Sequence, residues 1–256
     1  DLSGVFCSSV IRVVPWAAKS ILSKAKTIKH GVFCGSTYAR SRLCIFTSLR
    51  YVRPIMGTRS KRTMRCAACR MHKKDCLCAL VPRLQLNTRV VVIMHCREWK
   101  RPTASAPLFT LAAANAEIRL RGRKDIPFDD KGIVVPERRT WLLYPGESAT
   151  VLSPDLVQED PRPVTLVVPD GSWRQASKVG QREPSLAGVS QIVLPDMGPS
   201  SYRLRNEPKE GGLSTFEAIA RALRILEGEA VYEALDILFS TMVERTLATR
   251  RHVVSG

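Results

Sequence analysis

Two runs of branched and apolar residues, Arg89-Val-Val-Val-Ile-Met-His95 and Val164-Thr-Leu-Val-Val-Pro169, constrain this chain more than any other feature. Each reads as a buried strand, because branched side chains suit a pleated backbone and neither run offers solvent a polar face. Trp141-Leu-Leu-Tyr-Pro145 and Gln191-Ile-Val-Leu-Pro195 read as two more strands. Helical patterns lie between and after them. Ala104 to Arg121 lacks Gly, has Pro107 near its start and places Leu108, Leu111, Ala112 and Ile118 at helical spacing. A short helix is expected from about Ser172 to Val179. Ser214-Thr-Phe-Glu217 fits a capping box, in which Ser caps a backbone amide and Glu reaches back to the cap residue. Behind it Phe216, Ile219, Ala220, Leu223 and Leu226 line one face, and Gly228 ends the helix. Val231, Leu235, Leu238 and Met242 mark a last amphipathic helix. Strands alternating with helices predict an α/β domain with a largely parallel sheet.

With 256 residues, 45% of them hydrophobic, the chain can bury a substantial core. No apolar stretch approaches the roughly 20 residues that span a bilayer, so no membrane partner is expected. The formal charge is +17. Such an excess favours a polyanionic partner, since Lys and Arg that neutralise phosphates release counterions. The charge is uneven: residues 1–60 hold ten Lys or Arg and one acid, Asp1. This basic leader has the composition of an organellar transit peptide. The competing expectation is a misplaced start, because Met56 and Met64 lie just before the first dense motif. The expected location is accordingly the cytoplasm, or an organelle if residues 1–55 are a genuine transit peptide.

Cys66-Ala-Ala-Cys69 and Cys76-Leu-Cys78 bring four thiols within thirteen residues. Two close pairs joined by a short loop can supply the four soft ligands of tetrahedral zinc, and a closed four-Cys set leaves no position for chemistry, so the expected role is structural. His72 is a competing ligand. Two disulfides and an iron–sulfur cluster are the alternatives, the first disfavoured by the tight Cys76–Cys78 spacing. Cys96 stands apart and reads as a core residue.

The strongest chemical signal is Pro169-Asp170-Gly171-Ser172-Trp173. It follows directly on an apolar strand, and ligand sites in open α/β sheets gather at the carboxyl ends of strands. A carboxylate there can accept a proton or bind a cation, and an aromatic ring can stack on a base or wall the pocket. Read by themselves, Asp170 can equally be a turn residue and Trp173 a core aromatic.

The motif resembles that of the DTW-domain family, named for Asp-x-Thr-Trp, which includes tRNA-uridine aminocarboxypropyltransferases. Ser172 stands where the family has Thr, keeping the hydroxyl and losing the methyl. Four further blocks agree in order. Cys66-x-x-Cys69 with Cys76-x-Cys78 resembles the family's metal knuckle. His95-Cys-Arg-Glu98-Trp-Lys-Arg101-Pro102 is similar to its His-x-x-Glu-x-x-Arg-Pro block. Tyr202-Arg203-Leu204-Arg205-Asn-Glu-Pro208 and Leu213-Ser214-Thr215-Phe216-Glu217-Ala218 resemble its Tyr-x-Leu-Arg-x-x-Pro loop and its Leu-Ser-Thr-x-Glu-Ala helix start.

The resemblance implies a SPOUT-like, knotted α/β fold, with a zinc knuckle at 64–82 and a catalytic domain at 83–250. It implies S-adenosylmethionine as donor of a 3-amino-3-carboxypropyl group to N3 of a tRNA uridine, with structural zinc and no catalytic metal. Asp170 is then the candidate general base, with Ser172 and Trp173 beside it. Leu194, Pro195, Asp196, Leu213, Ser214 and Thr215 are expected to hold the donor through main-chain groups, with Tyr202 and Pro208 in the same loop. Arg203 or Arg205 would clamp a carboxylate or a tRNA phosphate, and His95, Glu98 and Arg101 would touch tRNA or support the site. Glu217 reads as a capping-box partner. The rival readings are a methyltransferase of the same fold class and a non-catalytic zinc-bearing RNA-binding protein; oligomeric state is not indicated.

Overall fold

A computed structural model describes residues 64–205 and 212–254. The basic leader, the proposed start sites before residue 64 and Pro208 lie outside the described residues. Six strands form one sheet: β1 (Arg89–His95), β2 (Ala116–Arg121), β3 (Arg139–Leu143), β4 (Thr150–Val151), β5 (Val164–Asp170) and β6 (Ser190–Val193). The order across the sheet is β2-β1-β5-β3-β6-β4, and every pairing is parallel. The helices are α1 (Cys96–Trp99), α2 (Ala106–Ala112), α3 (Pro154–Gln158), α4 (Trp173–Ala176), α5 (Val179–Arg182), α6 (Thr215–Glu227) and α7 (Glu229–Val254).

Strand periodicity divides the core. Along β1, Val90, Val92 and Met94 join the larger apolar cluster, with Leu166 and Val168 of β5 and with Phe109, Phe216 and Phe239 from α2, α6 and α7. Val91, Ile93 and Val167 point the other way, into a smaller cluster with Leu142, Val179 and Leu186. Apolar side chains on both faces require a layer on each side, which is the usual condition of a parallel strand. Phe216 is the hinge of the larger layer, meeting Phe109 edge-on at 5.9 Å and Phe239 at 5.1 Å.

The stretch expected as one helix over 104–121 is instead α2 followed by strand β2. The alternation of Glu117, Arg119 and Arg121 with Ile118 and Leu120 was the stronger signal, since it suits a strand with one face packed on the core. Asn115 makes the break: its amide donates to the Leu86 and Thr88 carbonyls at 2.7 and 2.9 Å. The Ala112 carbonyl meanwhile accepts from Leu84 N–H at 2.8 Å. The expected helix after Asp170 is split into α4 and α5. Short strand β4 and helix α3, capped by Ser153, carry too little periodicity to be read from sequence. The cap at Ser214 and the end at Gly228, whose φ is 98°, stand where expected. The final helix runs on to Val254.

The strand order creates one special place. From β1 the chain moves outward to β2, whereas from β5 it moves the opposite way to β6, and Met94 is in register with Asp170. The crevice between these two strand ends is a topological switch point, where open parallel sheets bind ligands. Helix α6 is aligned over it from its far end, where Glu227 accepts from the Thr88 and Asn87 amides at 2.6 and 3.3 Å.

Replacing Asn115 by Ala should strand two backbone carbonyls and lower stability by about 1–3 kcal/mol. A urea midpoint shifted downward with an unchanged slope is the expected readout; no shift would mean that the break after α2 is held by packing alone.

Candidate active site and metal knuckle

Asp170 ends β5 with its side chain on the α6 side of the sheet, 8% exposed. Its Oδ1 accepts from the Thr215 hydroxyl at 2.9 Å, while Oδ2 is buried with no hydrogen-bond partner. Burial pushes its pKa up to about 6; nearby Glu98 adds to the rise, and Thr215, Arg205 and Arg101 oppose it. A buried carboxylate with one free oxygen, poised near neutrality, suits a proton acceptor.

Glu98 is the second buried acid, 4% exposed on α1. Arg205 Nη2 lies 2.6 Å from Glu98 Oε1, and Arg101 Nη1 lies 3.3 Å from Glu98 Oε2. Arg205 is further fixed by Nε–H donation to the Thr103 hydroxyl at 2.7 Å, and its buried Nη2 retains no aligned acceptor. Arg203 points elsewhere: it pairs with Glu244 on the exposed side of α7. The two arginines of the loop are therefore separated, and only Arg205 shares the Asp170 environment. Tyr202 anchors the loop between them, packing on Phe239 and donating to the Thr103 carbonyl at 2.5 Å.

The backbone expected to hold the donor lies in two segments. Leu194, Pro195 and Asp196 follow β6, and Leu213, Ser214 and Thr215 open α6. Glu217 joins the two segments. Besides closing the capping box through Ser214 N–H at 3.0 Å, it accepts from Ser201 N–H at 2.7 Å and the Ser200 hydroxyl at 2.8 Å. The capping reading of Glu217 was thus correct but partial. Arg221 adds bonds of 2.7 Å to the Gly198 and Pro199 carbonyls. Asp196 is exposed and turns its own loop by accepting from Gly198 N–H at 3.0 Å.

Ser172 and Trp173 begin α4 on the other side of Asp170. The exposed Ser172 takes part in a capping box with Gln175, whose side chain accepts from Ser172 N–H at 2.9 Å. Trp173 is half-buried and tilted against Tyr144 at 6.1 Å. His95, one residue beyond the register partner of Asp170, projects to the opposite face because successive strand residues alternate. Cys96 is half-buried at the rim and donates to the Gly122 carbonyl at 3.1 Å, so it is not the core residue expected.

The four knuckle thiols stand within 4.8 Å of one another, with Cys66–Cys78 at 3.6 Å and Cys69–Cys76 at 3.7 Å. None is disulfide-bonded. A tetrahedral ion with ~2.3 Å metal–sulfur bonds has edges near ~3.8 Å, so the donor set fits a single metal ion. His72 is not part of it. Donation from the Cys69 amide holds the Cys66 thiol down to about 6, whereas burial pushes the Cys69 and Cys78 thiols up, so of these three only Cys66 is predisposed to the thiolate. The knuckle is tied into the domain at two points. Arg245 of α7 donates to the Cys76 carbonyl at 2.7 Å, and Arg70, at positive φ, stacks 4.7 Å over Trp99 and donates to its carbonyl at 2.5 Å. Trp99 neighbours Glu98, so the metal knuckle braces the helix that positions Arg205.

A parallel sheet with a buried acid at its switch point and a knuckle of four thiols that could hold a metal ion define an α/β protein. The chain belongs to the DTW-domain family, whose model matches residues 63–247. It is 30% identical over 172 residues to a Drosophila melanogaster tRNA-uridine aminocarboxypropyltransferase 2, covering 65% of this chain and 68% of the relative. A Mus musculus protein of the same name is 30% identical over 173 residues, and the match spans 66% of this chain and 58% of the mouse protein. An Arabidopsis thaliana tRNA-uridine aminocarboxypropyltransferase A is 26% identical over 209 residues, 70% of this chain and 79% of the relative. No solved structure matches. Among the described residues no helix is long and apolar enough to cross a membrane.

Folding raises the Asp170 pKa from 3.8 to about 6. Its ionised form is therefore disfavoured by the fold, a cost absent below the lower value and complete above the upper. Replacing Asp170 by Asn should stabilise the protein at pH 7.5 by roughly 2–3 kcal/mol, at ~1.36 kcal/mol per unit. Calorimetry should show a higher Tm at pH 7.5 and a gain that shrinks toward pH 4; a lower Tm at both would contradict the burial account. Metal analysis should find one ion per chain, and replacing Cys69 by Ser should remove it and lower Tm. Full retention of the ion would exclude Cys69 as a ligand.

Proposed function

We propose that this protein transfers the 3-amino-3-carboxypropyl group of S-adenosylmethionine to N3 of a tRNA uridine. The observation that carries this reading is the buried, unpartnered Asp170 Oδ2, which lies at the switch-point crevice of a chain whose relatives are named tRNA-uridine aminocarboxypropyltransferases. The site's chemistry fits the donor. Arg205, with its unaligned Nη2, offers a cation for a carboxylate, and the backbone of Leu194–Asp196 and Leu213–Thr215 offers amides and carbonyls for a nucleoside. Bound there, S-adenosylmethionine would supply an electrophilic γ-carbon attached to a sulfonium whose thioether, methylthioadenosine, is a neutral leaving group.

The chain's own residues do the rest. Uridine N3 is mostly protonated at neutral pH, so Asp170 Oδ2 takes that proton while the Thr215 hydroxyl holds Oδ1 and fixes the carboxylate plane. A positioned base of this kind contributes about 10²–10⁴-fold. Arg205, steadied by Glu98 and Thr103, orients the transferred group so that the γ-carbon is presented and the methyl is not. Ser172 and Trp173 border the acceptor side. Glu98 and Arg101 position Arg205 without touching the reacting atoms, and Arg203 is left for tRNA contact. Zinc is the metal we assign to the knuckle, on the strength of four thiolates and a closed geometry. The SPOUT-like, knotted fold is retained as part of this proposal on the strength of the family match and the all-parallel sheet.

The test is incubation of the protein with unmodified tRNA and S-adenosylmethionine, followed by nucleoside mass spectrometry. A uridine heavier by the aminocarboxypropyl group, with release of methylthioadenosine, is expected. A methylated nucleoside would replace this assignment with methyl transfer. Because Asp170 must be ionised to act, the single-turnover rate should fall as pH drops through about 6. Replacing Asp170 by Asn should lower the rate about 10²–10⁴-fold and abolish that inflection; an unchanged rate would remove Asp170 from the chemistry.

A further inference from the structure

The opposite face of the sheet carries a second compartment, which adjoins the proposed site at Ser172 and whose cations none of these steps uses. A cavity of about 570 Å³ opens there, walled by His95, Arg97, Phe128, Arg174, Lys178 and Arg182. That volume lies within the ~300–1,000 Å³ typical of ligand sites. Arg121 also lines it but is neutralised by Glu183. Arg97, Arg174, Lys178 and Arg182 make no ion pair with any carboxylate among the described residues, unlike Arg89, Arg123, Arg162 and Arg224 elsewhere. Like charge from Arg182 and Arg174 holds the Lys178 ammonium below its ordinary pKa. Cations crowded without counter-charge repel one another, and a seated anion relieves that repulsion.

Their arrangement narrows the anion. Arg174, Lys178 and Arg182 are four residues apart, and the backbone stays right-handed through Ser177 and Lys178, where α4 passes into α5. The three side chains therefore rise on one face, in a row ~12 Å long at ~1.5 Å per residue. A single phosphate cannot span such a row, whereas a strand of phosphates can. Half-buried Phe128 adds a ring on which a base can stack.

His95 completes the wall. Its Nδ1 accepts from Arg97 N–H at 3.1 Å. Burial, then Arg97 and Arg121, hold its pKa below the usual histidine range, so near pH 7 the ring is neutral with its proton on Nε2. Gly122 leaves that nitrogen accessible: at its φ of +79°, an added Cβ would lie 2.6 Å from His95 Nε2.

We propose that this cavity seats the sugar–phosphate backbone of the RNA strand beside the target uridine, with Arg174, Lys178 and Arg182 neutralising phosphates and His95 donating Nε2–H to an RNA oxygen. The inference rests on tRNA as the substrate and divides the work between faces: donor and base on the α6 side, RNA backbone on the α4–α5 side.

The test measures binding of unmodified tRNA to the full chain by fluorescence anisotropy, without S-adenosylmethionine, from about 50 to 200 mM salt. The triple variant Arg174→Ala/Lys178→Ala/Arg182→Ala is compared with Arg162→Ala, an exposed position at the opposite end of β5. The triple variant should weaken binding on the order of 10–100-fold and flatten the log–log salt slope by about 2–3, while the control leaves both unchanged. Affinity for S-adenosylmethionine, measured by calorimetry, should be the same in all three proteins. An unaltered tRNA affinity and slope, or a wild-type chain that does not bind tRNA, would overturn the proposal. Loss of S-adenosylmethionine binding with tRNA binding intact would do so too, by giving the cavity to the donor. Since binding is read without turnover, a wild-type chain that binds tRNA through this cavity yet forms no aminocarboxypropyl uridine would sink the assigned reaction and leave the inference standing.

Discussion

The side-by-side pairing of β1 and β5 is the constraint on which the rest depends. Both strands are apolar on both faces, so each needs a layer above and below, and both end at the same level. Neighbouring residues of a strand face opposite layers. At the tips of these two strands that rule sends Asp170 toward α6 and His95 toward α4 and α5. One sheet edge thus serves two compartments of different character. One holds buried acids and a tethered arginine; the other is open and lined by four unpaired cations beside the Arg121–Glu183 pair.

Charge placement follows the same division. Asp170 and Glu98 are buried acids close enough to raise the Asp170 pKa, yet Arg205 and Arg101 offset them. Leaving a buried carboxylate oxygen unpaired costs free energy, and so does crowding Arg174, Lys178 and Arg182. Both costs stand near the C-terminal strand ends, whereas several arginines brace the N-terminal end of the sheet, where Asn115 Oδ1 and Thr140 Oγ1 are nonetheless left unpartnered. There Arg138 bonds to Thr165 and to the Val164 carbonyl, and Arg139 stacks on Trp141. Buried or crowded charge is thus concentrated at one end of the strands.

The main strands and the capped helix were legible because each carries a local signal: β-branched runs, a Ser-x-x-Glu box and a terminal Gly. The four thiols were legible because their spacing is itself the ligand geometry. Strand β2 was not, since Leu108 to Ile118 mimics a helical face, and the decisive contacts of Asn115 reach back to Leu86 and Thr88. The parting of Arg203 from Arg205 was equally hidden. It depends on Glu244 and Glu98, which lie far from the loop in sequence, and helical or strand periods say nothing about a side chain's distant partner. The cationic cavity was the larger omission. Arg174, Lys178 and Arg182 have a regular four-residue spacing, but only the folded sheet shows them facing His95 and Phe128.

The clasp between the knuckle and α7 also has a kinetic consequence. The four thiols are neighbours in sequence, so a metal can organise them as soon as that short segment exists. The Arg245–Cys76 bond, by contrast, joins residues 169 positions apart, and the β1–β5 pairing must wait for a long connection to close. Closing long loops is entropically slow, and order of synthesis reinforces the delay. Contacts within the knuckle are therefore short-range, whereas its clasp on α7 spans 169 positions and cannot form before that helix exists. The same holds for Phe239, which can take its place beside Phe216 only once α7 has been synthesised, so the larger core is completed by an element far along the chain from the knuckle it clasps.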